Sequence, residues 1–209
     1  AYCAMAPDDL HAQEIRNSLA DRLMSCLASV ETPDWVWFEE GLAYDNARLP
    51  QALMMTGAAT QSPEHVQAGL RSLRWLMTRQ TSPAGHFRPV GTAGFGELRQ
   101  LPRAFDQQPV EATATIAACL TAWRADGDAE WKALATRAFT WFLGSNDLSV
   151  ALVDPHTGSC RDGLHPDRAN ENRGGESVVC YLLGLAEIRQ LARVNAGLAK
   201  PAALRAMGA

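Results

Sequence analysis

The chain has 209 residues, 47% hydrophobic and 20% charged, which is typical of one globular domain with a substantial core. The net charge of -4 and the absence of any Lys/Arg run argue against nucleic acid as a partner, because phosphate binding depends on clustered cations. No stretch is apolar for long enough to predict a transmembrane helix, and the N-terminus "AYCAMAPDD" lacks the features of a signal peptide. We therefore expect a soluble chain.

The cysteines form an odd set with no CxxC pair: Cys3, Cys26, Cys119, Cys160 and Cys180. Cys26, Cys119 and Cys180 fall on apolar helical faces, so we expect them to be buried thiols in a reduced, cytoplasmic protein without disulfides. The start of the chain, without Met and in sequence that looks mid-domain, suggests a fragment of something longer. We expect one domain over 1–209, with 195–209 as a weakly structured tail.

Hydrophobic periodicity predicts helices and no convincing strand; the predicted ranges are about 8–30, 46–57, 63–79, 109–125, 128–143 and 175–194. The first has one apolar face, and Asp8 or Asp9 can cap it. The second begins where Asp45 or Asn46 can accept from free amides, and we expect Gly57 to end it.

The later helices have clearer boundaries. Ser62-Pro63 predicts a cap followed by proline at the first helical position, and the fourth helix also opens on a proline, Pro109. The short break at Asp126-Gly127-Asp128 predicts that the fourth and fifth helices form an antiparallel hairpin. The sixth helix is apolar on all sides, which predicts a position in the middle of the fold. Four tryptophans on the helices are expected to pack in the core: Trp75, Trp123, Trp131 and Trp141.

Short and long connections alternate along the chain, which in a stack of antiparallel helices places every long loop at one end. The long loops end in three polar strings: "EEGLAYDNAR" (39–48, the first), "RAFDQQPVE" (103–111, the second) and "PDRANENRGGES" (166–177, the third). We expect these strings to form one surface with the starts of the second, fourth and sixth helices. The positive dipole ends of those helices would suit an anionic or hydroxyl-rich ligand.

The strings "WVWFEEGLAYDNARLPQAL", "GHFRPVGTAGFG", "FDQQPVEATATIAACLTAW" and "DGLHPDRANENRGGESVVCYLLGLAEI" resemble the helical toroid region of bacterial glycosyltransferases, including mannosyltransferase-like ones, which is related to the six-hairpin glycosidases. The resemblance covers about residues 10–190. It implies an all-α fold, an (α/α) toroid of antiparallel hairpins that is partial, with about six or seven helices. It also implies a separate, upstream nucleotide-sugar-binding domain that carries out the transfer. Upstream helices or a second copy of the chain would close the ring.

Glycoside chemistry needs two carboxyl groups placed across a sugar ring, which makes Asp106, Glu111 and Asp45 the candidate catalytic residues. Asp45 and Asp106 are equally explained as helix caps. Glu111 is the preferred partner of Asp106, because a site one turn inside the helix would raise its pKa. The candidate substrate-binding residues are Trp37, Glu39, Asn46, Arg48, Phe87, Arg88, Gln107, Gln108, His165, Asn170, Glu171, Asn172 and Glu176.

The sequence is compatible with three functions. The first is a carbohydrate-binding domain associated with a glycosyltransferase, and the second is a glycosidase, phosphorylase or sugar epimerase that uses paired carboxylates. The third is a helical scaffold for assembly. The run "DPHTGSCRDGLHPD" contains metal-binding residue types, but its spacing fits no compact zinc pattern and its dipeptides are turn signals. We therefore expect neither a metal nor a cofactor; "GTAGFG" has no preceding strand and does not predict a dinucleotide site.

Overall fold

The structure, a computed structural model, describes residues 2–197. The predicted tail, 195–209, lies outside these residues apart from its first three positions. The α-helices are α1 (Tyr2–Met5), α2 (Leu10–Val30), α3 (Arg48–Thr60), α4 (Pro63–Arg79), α5 (Pro109–Asp126), α6 (Glu130–Thr140) and α7 (Gly175–Asn195). A 3-10 turn spans Thr92–Gly94, and extended pairing within residues 2–197 is limited to isolated bridges. The predicted all-α fold is confirmed.

Several predicted helix boundaries follow from capping chemistry. Asp9 accepts a hydrogen bond from the amide of Ala12 at 2.9 Å, and Ser62 caps α4 ahead of Pro63. Gly127 ends α5 in the left-handed conformation at φ 77°, which favours glycine. The expected caps of α3 are wrong: the N-cap residue is Ala47, which has no capping side chain.

Gly57 does not end α3, which continues to Thr60. It lies where α3 passes close to the start of α4: a Cβ atom at Gly57 would be 2.8 Å from the backbone nitrogen of Val66. Gly69 has the same role on α4, since its Cβ would be 2.7 Å from the carbonyl oxygen of Pro50. The glycine predicted to be a stop signal is therefore a contact point between two packed helices.

The helices form two rows. In the first row α5 packs against α3 on one side and α7 on the other; in the second, α4 covers α3, while α6 packs against α5 and α7. Helix α2 contacts both α3 and α4. The three-residue connection from α5 to α6 makes these packed neighbours an antiparallel hairpin, as predicted. Closure of the rows into a toroid stays a prediction.

The core lies between the two rows and holds most of the large aromatic side chains. Trp131, Trp141 and Trp75 are buried, and Trp123 is partly buried beneath Lys132, which supports the expectation that these tryptophans pack between helices. Within residues 2–197, no helix combines the length and the apolar character needed to cross a membrane.

Two burial predictions are wrong at the ends of the rows. Helix α7 is covered on one side only, so Val179, Leu182 and Leu183 are 55%, 50% and 53% exposed. Helix α2 buries Ala20 and Leu27 against its neighbours, and Cys26, which precedes Leu27 and points elsewhere, is exposed. Helical spacing identified these apolar faces, but it could not show which of them have a partner.

All five cysteines are free thiols. Burial raises the pKa of Cys119 and of Cys160 to about 12, so neither is an ionised nucleophile at neutral pH. We expect Ellman titration of denatured, unreduced protein to find all five thiols. In the folded protein Cys26 should react first, since it is exposed, whereas Cys119 and Cys160 should react only on unfolding. A lower count in denatured protein would contradict this.

Candidate functional site

The three long loops meet at one end of the helix rows. The amide of Gly96, in the α4–α5 loop, donates to the carbonyl of Leu42 in the α2–α3 loop at 3.2 Å. Gln107, at the end of the α4–α5 loop, exchanges two backbone hydrogen bonds with Leu164 of the α6–α7 loop, at 3.0 and 2.9 Å. The loops that carry the polar strings therefore form a single surface, as the alternation of loop lengths predicts.

The first group of polar side chains on this surface is the Asp45 cluster: Tyr44, Asp45, Arg48, Glu111 and Glu176. Glu111 is buried, 1% exposed, at the start of α5, and it accepts hydrogen bonds from the backbone amide of Asp45 and from Asn46 Nδ2, the latter at 3.2 Å. The hydroxyl of Tyr44 donates to Glu176 Oε1 at 3.3 Å. Arg48 Nε lies 3.5 Å from Asp45 Oδ2. Residues from the starts of α3, α5 and α7 thus converge.

Both carboxyl groups at the centre of the cluster resist ionisation. Burial raises the pKa of Glu111 from 4.5 to about 7, although hydrogen bonds from Asn46 and the Asp45 amide lower it in part. Burial also raises the pKa of Asp45 despite the opposing charge of Arg48. Asp45 Oδ1 is shielded from solvent and has no hydrogen-bond partner among residues 2–197. This oxygen is therefore an unsatisfied acceptor inside the cluster.

The backbone adds further polar groups. Helices α3, α5 and α7 begin at cap residues Ala47, Gln108 and Gly174, none of which makes a side-chain capping bond. Asp162 holds the start of α7 in place by accepting from the Gly174 amide at 2.6 Å and from the Ser177 hydroxyl at 2.5 Å. The positive ends of the α3 and α5 dipoles therefore lie at this surface without a capping side chain, whereas the carboxylate of Asp162 already occupies the start of α7.

A second group, the Asp147 network, joins the α4–α5 loop to the α6–α7 loop. Asp147 accepts from Arg88 and from Gln107 Nε2, the latter at 2.6 Å, and Gln107 Oε1 accepts from the indole of Trp141 at 2.7 Å. Burial opposes ionisation of Asp147, but hydrogen bonds from Arg88 and Gln107 outweigh it and lower the pKa of this carboxyl. Arg88 and Gln107, predicted as substrate-binding, are thus bonded within the protein.

Asp106 lies beside the Asp147 network and apart from Glu111. Its Oδ1 is 2.8 Å from Nδ1 of His165, which links the second polar string to the α6–α7 loop just before the third polar string. Glu111 contacts the first polar string instead, so the structure brings Glu111 together with Asp45 and not, as expected, with Asp106. Asp106 is 46% exposed as a side chain and remains available to a ligand.

The expected aromatic platforms are core residues. Trp37 and Phe87 are 0% exposed, and Trp37 stacks on Trp75, so neither offers a ring face to a ligand. Tyr44 is 54% exposed and is the aromatic side chain that the Asp45 cluster presents. Sequence reasoning missed Tyr44, although it directly precedes Asp45 in the first polar string. The apolar run "WVWF" (35–38) gave no sign that all of its rings would be buried.

The remaining residues predicted to bind substrate lie in a local turn, at a helix cap or at exposed positions. Asn170 Oδ1 accepts from the Asn172 amide at 3.0 Å in a local turn, and Gln108 is partly buried as the α5 cap. Glu39 and Glu171 are exposed. In the run "DPHTGSCRDGLHPD", Asp154 Oδ1 accepts from the His156 amide at 2.9 Å, which agrees with the predicted turn. Across residues 2–197, no three His, Cys, Asp or Glu side chains are grouped to hold a metal ion.

The chain matches no known protein-family model, and no curated protein is similar enough in sequence to match it.

Proposed function

We propose that the chain is a carbohydrate-binding helical domain of the partial (α/α) toroid type, associated with a bacterial glycosyltransferase. One observation carries the proposal: direct hydrogen bonds join the first polar string to the other two, from Tyr44 to Glu176 and from the Asp45 amide and Asn46 to Glu111. Residues far apart in sequence therefore share one polar surface, and ligand sites are commonly built from polar groups that converge in this way.

The chemistry of the Asp45 cluster suits a sugar. The carboxylates of Asp45, which is 30% exposed as a side chain, and of Glu176 can accept from hydroxyl groups, and Arg48, which is 44% exposed as a side chain, can donate. The exposed ring of Tyr44 offers an apolar face for the carbon–hydrogen side of a sugar ring. In this proposal the protein is cytoplasmic, an upstream transferase domain supplies the sugar, and additional helices or a second copy close the ring.

A glycan panel tests this proposal, with Asp45→Asn as the key variant. Asn adopts the left-handed conformation that Asp45 has at φ 53°, so the backbone should keep its shape while the charge is lost. We expect binding of the preferred glycan to weaken at least about tenfold, the effect of losing a charged hydrogen-bond partner. Asp106→Asn should weaken binding less, because Asp106 pairs with His165 beside the Asp147 network and not with a residue of the Asp45 cluster.

Asp167→Asn is the matched control, since Asp167 belongs to the third polar string and bonds only to its neighbour Arg168 among residues 2–197. Calorimetric titration of all four proteins, with melting curves to check folding, gives the comparison. Equal glycan affinity in the parent and in a folded Asp45→Asn protein would remove the basis for the proposal.

Catalysis is the second candidate function, and the setting of Glu111 favours it. A buried carboxyl whose pKa is about 7, held against a second carboxyl with a raised pKa, resembles the acid–base pairs of glycosidases and related enzymes. Both Glu111 oxygens accept hydrogen bonds from the α2–α3 loop, so Asp45 would face the substrate and Glu111 would hold Asp45 in position. Turnover of any member of the glycan panel by this chain would support catalysis.

A further inference from the structure

A separate pocket lies where the α2–α3 loop meets the end of α4. It has a volume of about 340 Å³ and is lined by Thr32, Asp34, Trp35, Arg79, Arg99, Gln100 and Leu101. None of these residues belongs to the Asp45 cluster or to the Asp147 network. Two guanidinium groups and one carboxylate therefore share a cavity that the proposed function does not use.

The two arginines differ in how their charge is compensated. Arg99 forms an ion pair with Glu40 and donates to the Val30 carbonyl at 3.0 Å, so its charge already has a partner. Arg79 donates to the carbonyl oxygen of Asp34 at 3.0 Å and has no carboxylate within ion-pair distance among residues 2–197. No ion pair within the described residues therefore neutralises its charge at the wall of the pocket.

The position of Arg79 is fixed by packing. Its guanidinium carbon lies 4.9 Å from the ring centre of Trp75, and the indole of Trp75 donates to the Asp34 carbonyl at 3.1 Å. The same carbonyl thus holds both the indole and the guanidinium. Arg79 Nε is shielded from solvent and unbonded within the described chain, so the remaining terminal donors carry the unused bonding capacity. A guanidinium fixed over a ring and bonded to a carbonyl is pre-organised for charge-assisted binding.

We propose that this pocket binds an oxyanion, either a phosphate or a carboxylate group of a small ligand, through Arg79. The side chains of Thr32 and Gln100 supply further hydrogen-bond donors along the wall. Asp34 supplies the opposing charge and limits affinity, because its exposed carboxylate lines the same cavity. The inference does not depend on carbohydrate binding at the Asp45 cluster.

Two variants of opposite sign test the pocket while leaving its backbone bonds intact. Gln100→Glu adds a negative charge to the wall and should weaken oxyanion binding about threefold or more, and Asp34→Asn removes one and should strengthen it by a similar factor. Gln100→Ala separates loss of the amide from the added charge. Arg79→Gln should reduce binding at least about tenfold, since it removes the charged donor.

Calorimetric titration of the full chain with inorganic phosphate and with glucuronate, at constant ionic strength, distinguishes the two anion sources. Arg22→Gln, an exposed arginine of α2 that does not line the pocket, should bind as the parent does. Binding of either anion that follows the Gln100→Glu and Asp34→Asn pattern supports the site. Binding of neither anion, or binding that ignores Gln100→Glu and Asp34→Asn, overturns it, whatever Arg79→Gln does to folding.

Discussion

Replacing Gly163 by alanine is expected to destabilise the protein by roughly 3 kcal/mol or more, which for a chain of this size lowers the melting midpoint by about 10 °C. Gly163 has φ 152°, a conformation that other residues rarely adopt, and a Cβ atom there would be only 2.0 Å from the carbonyl oxygen of Gln107. That oxygen accepts from the amide of Leu164 in the bridge between two long loops. The methyl group would therefore separate the loops that form the polar surface.

Gly158→Ala is the control for backbone conformation alone. Gly158 has φ 71°, also in the left-handed region, but a Cβ atom there would meet nothing within 4 Å. Its substitution should cost only about 1 kcal/mol. Equal losses in the two variants, measured by chemical denaturation, would show that the close contact with Gln107 is not what requires glycine at position 163.

The sequence was sufficient to predict the helices and their pairing, because these depend on local signals. Ser62-Pro63 starts a helix by capping chemistry, and Gly127 ends one by its left-handed conformation, whatever surrounds them. The alternation of short and long connections then places the long loops together by geometry alone. The bridge between Gln107 and Leu164 joins the second polar string to the loop that leads into the third, in the way that this geometry predicts.

The partners of individual side chains could not be predicted, because they depend on contacts between distant parts of the chain. Glu111 was expected to face Asp106, five residues away, but it bonds to the loop around Asp45. Asp147 lies in a turn of ordinary composition. Only the folded loops show that it accepts hydrogen bonds from Arg88 and Gln107. A carboxylate buried by loops that are distant in sequence leaves no local pattern.

Which apolar helix faces stay exposed could not be predicted from the sequence either. Leu182 and Leu183 belong to a helix with apolar residues on every side, which usually indicates a central position, yet both are about half exposed at the end of the row. Helical periodicity shows that a face is apolar enough to be buried. Only the packing of α7 against α5 and α6 shows which of its faces has been covered.

The stability of the protein is expected to fall as the pH rises through neutrality because of Glu111. Burial raises the pKa of this carboxyl to about 7 in the folded protein, above the value of 4.5 that applies when it is exposed. An acid whose pKa is raised by folding stabilises the folded state below its unfolded pKa, and that contribution is lost as the pH rises through the folded pKa. The loss from about pH 4.5 to pH 7 and beyond should amount to roughly 3 kcal/mol.

Glu111→Gln isolates this effect from the other ionisable groups, whose titration is common to both proteins. The variant cannot ionise at position 111, so the parent should lose stability relative to it between about pH 5 and pH 8. At the acid end the parent should be the more stable of the two, because the glutamine amide would face Asn46 Nδ2, itself a donor. Denaturation curves across this range give the difference in unfolding free energy between parent and variant, with Glu171→Gln, at an exposed carboxyl, as the matched substitution. If the Glu111→Gln difference does not change with pH, the carboxyl keeps one charge state throughout, and it could not serve as the titrating group of an acid–base pair with Asp45.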